Sequence, residues 1–308
     1  MAFAKMVLQA AQKSSRHFSS QVSSISKSRT ITGDDTNSEG WTQTIGMRPS
    51  QQDFGLYEQW NTDGIYSLDH TDSLNKACTK GHQAIQGFLQ SGTVAAGMLR
   101  TDKETSLFSC GDCSVALFFP QSPNSDGSPI LIPPARSEDV VIGKDGSRLN
   151  VGGHVAIENK ENFPTVKPTP IIKTLSNEQL SEYSKEHGSA MIIAASDGAR
   201  GYYEDDLDFE ELYSLMQNKD VQDPVKHARQ QLLRQAEKAF KKDKIPTDNQ
   251  TIFFDYLPDA DKVTFLLLCD GHGKEGDKVA RTVAEQASSI IESSIKVLYR
   301  ADGKENYR

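Results

Sequence analysis

Val263-Thr-Phe-Leu-Leu-Leu-Cys269 runs directly into Asp270-Gly-His-Gly273, near the C-terminal end of a 308-residue chain. The first seven residues are apolar or β-branched, which predicts a strand buried on both faces. The strand is expected to stop at Asp270, where a carboxylate and two glycines flank a histidine. A helix is expected from about Asp277 to Val297, because Val279, Val283, Ala287, Ile290, Ile291 and Ile295 share one face. An Asp leaving a buried strand into a Gly-rich turn can present a metal ligand beside a bare backbone carbonyl. It can equally be an ordinary turn, so partners elsewhere must decide.

Two other stretches end in similar chemistry. Ala190-Met-Ile-Ile-Ala-Ala-Ser196 leads into Asp197-Gly198, and Asp248-Asn249-Gln-Thr251 precedes the strand Ile252-Phe-Phe-Asp-Tyr-Leu257. Three apolar strands therefore carry an aspartate at one end: Asp197, Asp248 and Asp270. Oxygen ligands on a rigid sheet are how hard divalent cations are held, and gathering these carboxylates without a cation would cost repulsion.

The rest of the chain sets bounds. A net charge of −8 argues against nucleic acid or an anionic membrane as partner. No apolar run reaches the ~18 residues of a membrane helix. The four cysteines show no zinc-ribbon or disulfide-framework spacing, and the lone Cys110-x-x-Cys113 follows an apolar run, so a reducing compartment is the simpler expectation. Residues 1–40 read as a basic, Ser-rich leader or peripheral segment, 41–300 as one domain and 301–308 as a polar tail. The leader has no acidic residue before Asp34 and resembles an organellar transit peptide, a secretion-related tail or a helix packed on the domain. The expected location is soluble, intracellular and cytoplasmic, with transit or secretion as the alternative.

Trp41–Tyr57 reads as a surface strand pair with a Pro kink. An amphipathic helix is expected over Asp72–Leu89, with His82 as a packed histidine. Ser91–Leu99 and Ser106–Phe119 form a hairpin signature around a charged turn at Thr101–Glu104, interrupted by Asp112. Residues 120–170 read as loops with strand islands at Val140–Ile142 and His154–Ile157, suited to a flap or substrate-facing insert. Ser176-Asn-Glu-Gln179 is a capping box, and a charged helix is expected over Pro224–Lys242. The acidic run Asp205–Glu211 reads as a solvated helix start.

Taken together, these motifs resemble the PPM family of metal-dependent Ser/Thr protein phosphatases. Ser91-Gly-Thr93 through Gly111-Asp112 is similar to its SG-T…GDSR hairpin, with Cys113-Ser114 departing from Ser-Arg. Arg148-Leu-Asn-Val-Gly152-Gly153-His-Val155 is similar to its R…GG-V segment. Ser196-Asp197-Gly198 resembles SDG and Asp248-Asn249-Gln-Thr251 resembles DN-T. Asp270-Gly-His-Gly273 resembles DGHGG, with Lys274 replacing the last glycine. Gly46-Met-Arg48-Pro-Ser-Gln-Gln-Asp53 is similar to the opening G-R…ED/QD element, and the likeness weakens over 120–170.

The order differs from the family's, in which the DGHGG strand precedes the SG-T hairpin. That reads as a circular permutation with its new joint at Leu257–Lys262. A competing alignment makes Thr247–Leu257 the opening strand, paired with the DGHGG strand, and leaves Arg48–Asp53 incidental.

The resemblance implies an α+β fold, a four-layer α-β-β-α sandwich of two antiparallel sheets flanked by helices. It implies two Mg²⁺ or Mn²⁺ ions, with Asp270 bridging, the Gly271 carbonyl on one ion, and Asp197 and Asp248 on the other. Asp112 would serve a third ion, and Asp53 would act through water or from behind the ligands. A water acidified by the metals would attack phosphoserine or phosphothreonine in a phosphoprotein substrate. Arg48 would grip the phosphate and His272 would protonate the leaving oxygen. The alternative functional reading is a weak or inactive relative acting as a binding module, favoured by Gln52, Lys274 and Cys113. A third is an unrelated acidic regulatory protein; the oligomeric state is left open.

Overall fold

The computed structural model describes residues 27–31, 40–44, 50–61, 68–88, 91–111, 113–119, 130–132, 148–149, 166–196, 198–199, 216, 222–243 and 249–305. Their strands, in chain order, begin with β1 (Lys27–Ile31), β2 (Trp41–Thr44), β3 (Phe54–Asn61) and β4 (Ser91–Arg100). There follow β5 (Glu104–Cys110), β6 (Ser114–Phe119), β7 (Ile130–Ile132), β8 (Arg148–Leu149) and β9 (Val166–Lys167). The last are β10 (Ile171–Ser176), β11 (Met191–Ala195), β12 (Gln250–Tyr256) and β13 (Lys262–Gly273). The helices are α1 (His70–Ala84), α2 (Asn177–His187), α3 (Pro224–Asp243) and α4 (Gly276–Glu305).

Side-chain alternation on β13 explains the layering. Val263, Phe265, Leu267 and Cys269 face one way, into a core shared with α1 and α4. Leu266 and Leu268 face the other way, into a core shared with Val115, Leu117, Ile192, Ala194 and Phe253. The first sheet runs β1-β3-β13-β4-β5-β10 and the second β2-β12-β11-β6-β7, with antiparallel pairing throughout; β8 and β9 form a separate parallel pair. On the far face of the second sheet, Val225, Ala228 and Leu232 of α3 pack on Phe118, Met191, Ile193 and Phe254. The molecule is thus an α+β, four-layer α-β-β-α sandwich, as expected. Each fully buried Leu or Phe of these cores contributes about 1.5–3 kcal/mol.

Several expectations need revision. β13 does not stop at Asp270: it stays paired with β4 through Gly273, with Asp270 opposite Val94 and Gly273 opposite Ser91. The small residues Ser91, Gly92 and Thr93 allow that extension. Trp41–Tyr57 is not a strand pair, since β2 and β3 lie in different sheets and both tryptophans, Trp41 and Trp60, are fully buried. The interruption around Asp112 is where the chain leaves the first sheet at Cys110 and enters the second at Ser114. Lys27–Ile31 of the leader pairs with β3 along its whole length. Val140–Ile142, His154–Ile157 and Asp205–Glu211 lie outside the described residues. Among those described, no helix is long and apolar enough to cross a membrane.

The helix boundaries follow local chemistry. Asp69 caps α1 by accepting from the Asp72 amide at 2.9 Å, and the Ser176/Gln179 capping box opens α2 as its spacing predicts. One histidine outside the motifs turns out to be structural. His70 is 1% exposed, with Nδ1 2.9 Å from Ser106 Oγ and Nε2 3.2 Å from Thr101 Oγ1. Burial lowers its pKa from 6.5 to about 4, against the opposing pull of Asp69. The unfolded chain therefore binds the extra proton first on acidification, so stability is lost as pH falls from about 6.5 toward 4. We expect wild type to lose on the order of 3 kcal/mol more than His70→Gln between pH 7 and pH 4. Urea unfolding at the two pH values checks this; equal losses would contradict it.

Candidate metal centre

Asp270 shares the alternation of Leu266 and Leu268, which points its carboxylate toward the second sheet. The β13–β3 register pairs Leu268 with Gly55 and Cys269 with Phe54, so one further step sets Asp53 opposite Asp270. Asp53 shares the alternation of Tyr57, whose ring stacks on Phe253 of the second sheet at 5.5 Å. Two carboxylates therefore face the same inter-sheet layer from directly opposed positions, about 5 Å apart at Cβ. Asp53 is 5% exposed, while Asp270 is half-buried. Both act on one buried atom: the Cys269 thiol is pushed well above its ordinary pKa by burial first, then by Cys78, Asp270 and Asp53, against a hydrogen bond with Thr93.

Backbone contacts hold the segment beyond Asp270. Thr93 Oγ1 donates to the Asp270 carbonyl at 2.7 Å, and the Gly271 amide donates to the Gln52 carbonyl at 3.2 Å. Gln52 Nε2 donates to the Gly273 carbonyl at 2.8 Å, and the Glu275 amide to Ser91 Oγ at 3.0 Å. Gly271 is squeezed between two pieces of main chain. A Cβ there would lie 2.2 Å from the Gly276 carbonyl oxygen and 2.6 Å from that of Gln52. The His272 ring rests on Gly92, where a Cβ would come within 2.6 Å of its Cε1.

The second sheet reaches the same place through hydrogen bonds to residues 50–53. Asn249, 1% exposed, accepts from the Gln52 amide at 2.9 Å and donates to the Ser50 carbonyl at 3.2 Å. Gln43 of β2 donates to the Asp53 carbonyl at 3.2 Å. Ser196 and Thr251 join β11 to β12 at this end, each amide bonded to the other residue at 3.0 Å.

Of the residues singled out from the sequence, Asp53, Asp270, Gly271 and His272 are therefore brought to one end of the first sheet. Arg48, Asp112, Asp197 and Asp248 lie outside the described residues, although Ser196, Gly198 and Asn249 beside two of them are described. Among the described residues no group of three His, Cys, Asp or Glu side chains is placed to hold a metal ion. The donor chemistry nonetheless fits a hard divalent cation: two opposed carboxylates of like charge, next to a glycine with no side chain to cover its backbone. β12 pairs with β11 and β2 and not with β13, which removes the hairpin on which the competing alignment depended. The roles of Asn249 and Gln52 in tying the sheets together escaped sequence reasoning. The only signal was an Asn following an Asp at a strand entrance.

No protein-family model and no curated protein matches the chain. Among solved structures it is similar to a bacterial serine phosphatase, at 12% identity over 82% of this chain and 100% of that one, TM-score 0.37. The serine/threonine phosphatase Stp1 of Staphylococcus aureus follows at 10% identity, covering 77% and 96%, TM-score 0.35. A phosphatase from a pathogenic strain of Toxoplasma gondii has 14% identity, covering 81% and 96%, TM-score 0.39. The solved structures it is similar to thus include serine and serine/threonine phosphatases. The side-chain amide of Gln52 is engaged by the Gly273 carbonyl and brings no charge to this end of the sheet.

Gly271→Ala is expected to destabilise by about 1–3 kcal/mol, because every clashing atom is backbone. Chemical denaturation measures it; a neutral substitution would show that this packing is looser than described.

Proposed function

We propose that the chain is a metal-dependent phosphatase acting on phosphoserine and phosphothreonine in proteins. The observation that carries the reading is the pair Asp53 and Asp270, opposed on the inter-sheet face where Asn249 of the second sheet also arrives. Asp270, the Gly271 carbonyl, Asp197 and Asp248 would hold two Mg²⁺ or Mn²⁺ ions, with Asp53 behind them and Asp112 at a third. When bound, such cations acidify a water and offset the charge of the phosphoryl group.

The chain's own residues supply the rest. Arg48 would hold two phosphate oxygens, since a guanidinium presents paired N–H groups at matching spacing. His272 would give its proton to the departing seryl or threonyl oxygen, a poor leaving group without one. Its ring lies beside Gly92, where any side chain would occupy the ring's place.

The central position of β13 supports a circular permutation. The last strand of the chain lies between β3 and β4, and the link Leu257–Asp261 crosses from one sheet to the other before it. Moving a strand and its helix to the far end of a chain is tolerated when the joints fall in surface turns. Gln52 supports a second reading, a binding module with weak or absent catalysis, because its amide is tied to Gly273 and brings no charge.

Activity on a phosphothreonine peptide with Mn²⁺ decides between them. The enzyme reading expects turnover that falls at least about 100-fold in Asp270→Asn; no turnover in wild type favours the binding module. His272→Ala should cost about 10²–10⁴-fold in kcat on that peptide. It should cost far less on p-nitrophenyl phosphate, whose leaving group departs without a proton. Equal losses on both substrates would remove His272 from the proton-transfer role.

A further inference from the structure

We infer that Asn249 is a positioning residue for the metal centre, holding the second sheet in register with the Asp53/Asp270 pair of the first; this rests on the metal-site reading above. The amide of Asn249 is spent at both ends on main chain across the sheet interface. Oδ1 takes the Gln52 amide at 2.9 Å and Nδ2 gives to the Ser50 carbonyl at 3.2 Å. Gln52 in turn accepts from the Gly271 amide with its carbonyl and donates to the Gly273 carbonyl with its side chain. One unbroken hydrogen-bonded path therefore runs from the residue after Asp248, through the residues just before Asp53, to the residues just after Asp270. It ties the entrance of β12 in the second sheet to the main chain on both sides of the Asp53/Asp270 pair in the first.

The chemistry requires this residue type. A carboxylate at 249 could accept from Gln52 but not donate to Ser50, and an alanine would remove both bonds. Outer partners of this kind change metal affinity without touching the metal.

The test uses the full chain and Mn²⁺ alone. Binding is measured by titration calorimetry for wild type, Asn249→Ala, Asn249→Ser and Ser176→Ala, with amide exchange followed over residues 50–53. Ser176→Ala removes the cap of α2, which adjoins Glu104 at the opposite end of the first sheet. It serves as a control for general loosening. Asn249→Ser, which keeps a small donor and acceptor, stands in if the alanine variant does not fold. We expect the Asn249 variants to bind Mn²⁺ about 10–100-fold more weakly and to exchange faster over 50–53. Ser176→Ala should match wild type. A folded Asn249 variant with wild-type affinity overturns the positioning role and leaves the phosphatase reading intact. An equal loss in Ser176→Ala overturns it too, by assigning the effect to general stability. A wild-type chain that binds no Mn²⁺ overturns both.

Discussion

Burial of β13 on both faces is the constraint from which the rest follows. A strand that carries Val263, Phe265 and Leu267 toward helices and Leu266 and Leu268 toward a second sheet can sit only in the middle of the sandwich. Because its register with β3 and β4 extends over many residues, a one-residue slip would turn every apolar side chain to the wrong layer. The same lock that orders the core therefore decides which way Asp270 points. Its carboxylate enters the inter-sheet layer because Leu268, two residues earlier, does.

That coupling also explains the concentration of small residues and main-chain hydrogen bonds at this end. Side chains are replaced by bare backbone at Gly92 and Gly271, and polar side chains from the second sheet bond to the main chain of residues 50–53. An apolar core gives way to a polar but densely bonded rim within two residues of Leu268. A site that gathers like charges needs such a rim, since repulsion between carboxylates would otherwise push the strands apart.

Much of the layering was legible in the residues themselves. The continuous apolar run of β13, the one-sided stripe of α4 and the Ser176 box each state a local preference that agrees with the global packing. The strand pairing was less legible. Trp41–Tyr57 looked like a local pair, but β2 and β3 separate because Trp41 and Trp60 complete different cores. The end of β13 was not legible, because an Asp-Gly turn signal is a property of two residues, whereas the extension depends on Ser91–Val94, far away in sequence. His70 carried no readable signal, since its burial depends on hydroxyls from β5 and the β4–β5 turn. Asn249 sat inside a recognised motif, yet its partners lie nearly two hundred residues away. Spacing along a chain cannot show that.

In the proposed centre, carboxylates far apart in the chain would meet between the two sheets around shared cations. Anomalous diffraction from crystals soaked in Mn²⁺ addresses it directly. Manganese peaks are expected in the inter-sheet layer, coordinated by Asp270 and the Gly271 carbonyl together with Asp197 and Asp248, and with Asp53 adjacent. Peaks elsewhere, or Asp197 and Asp248 directed away from Asp270 in the same crystals, would contradict it.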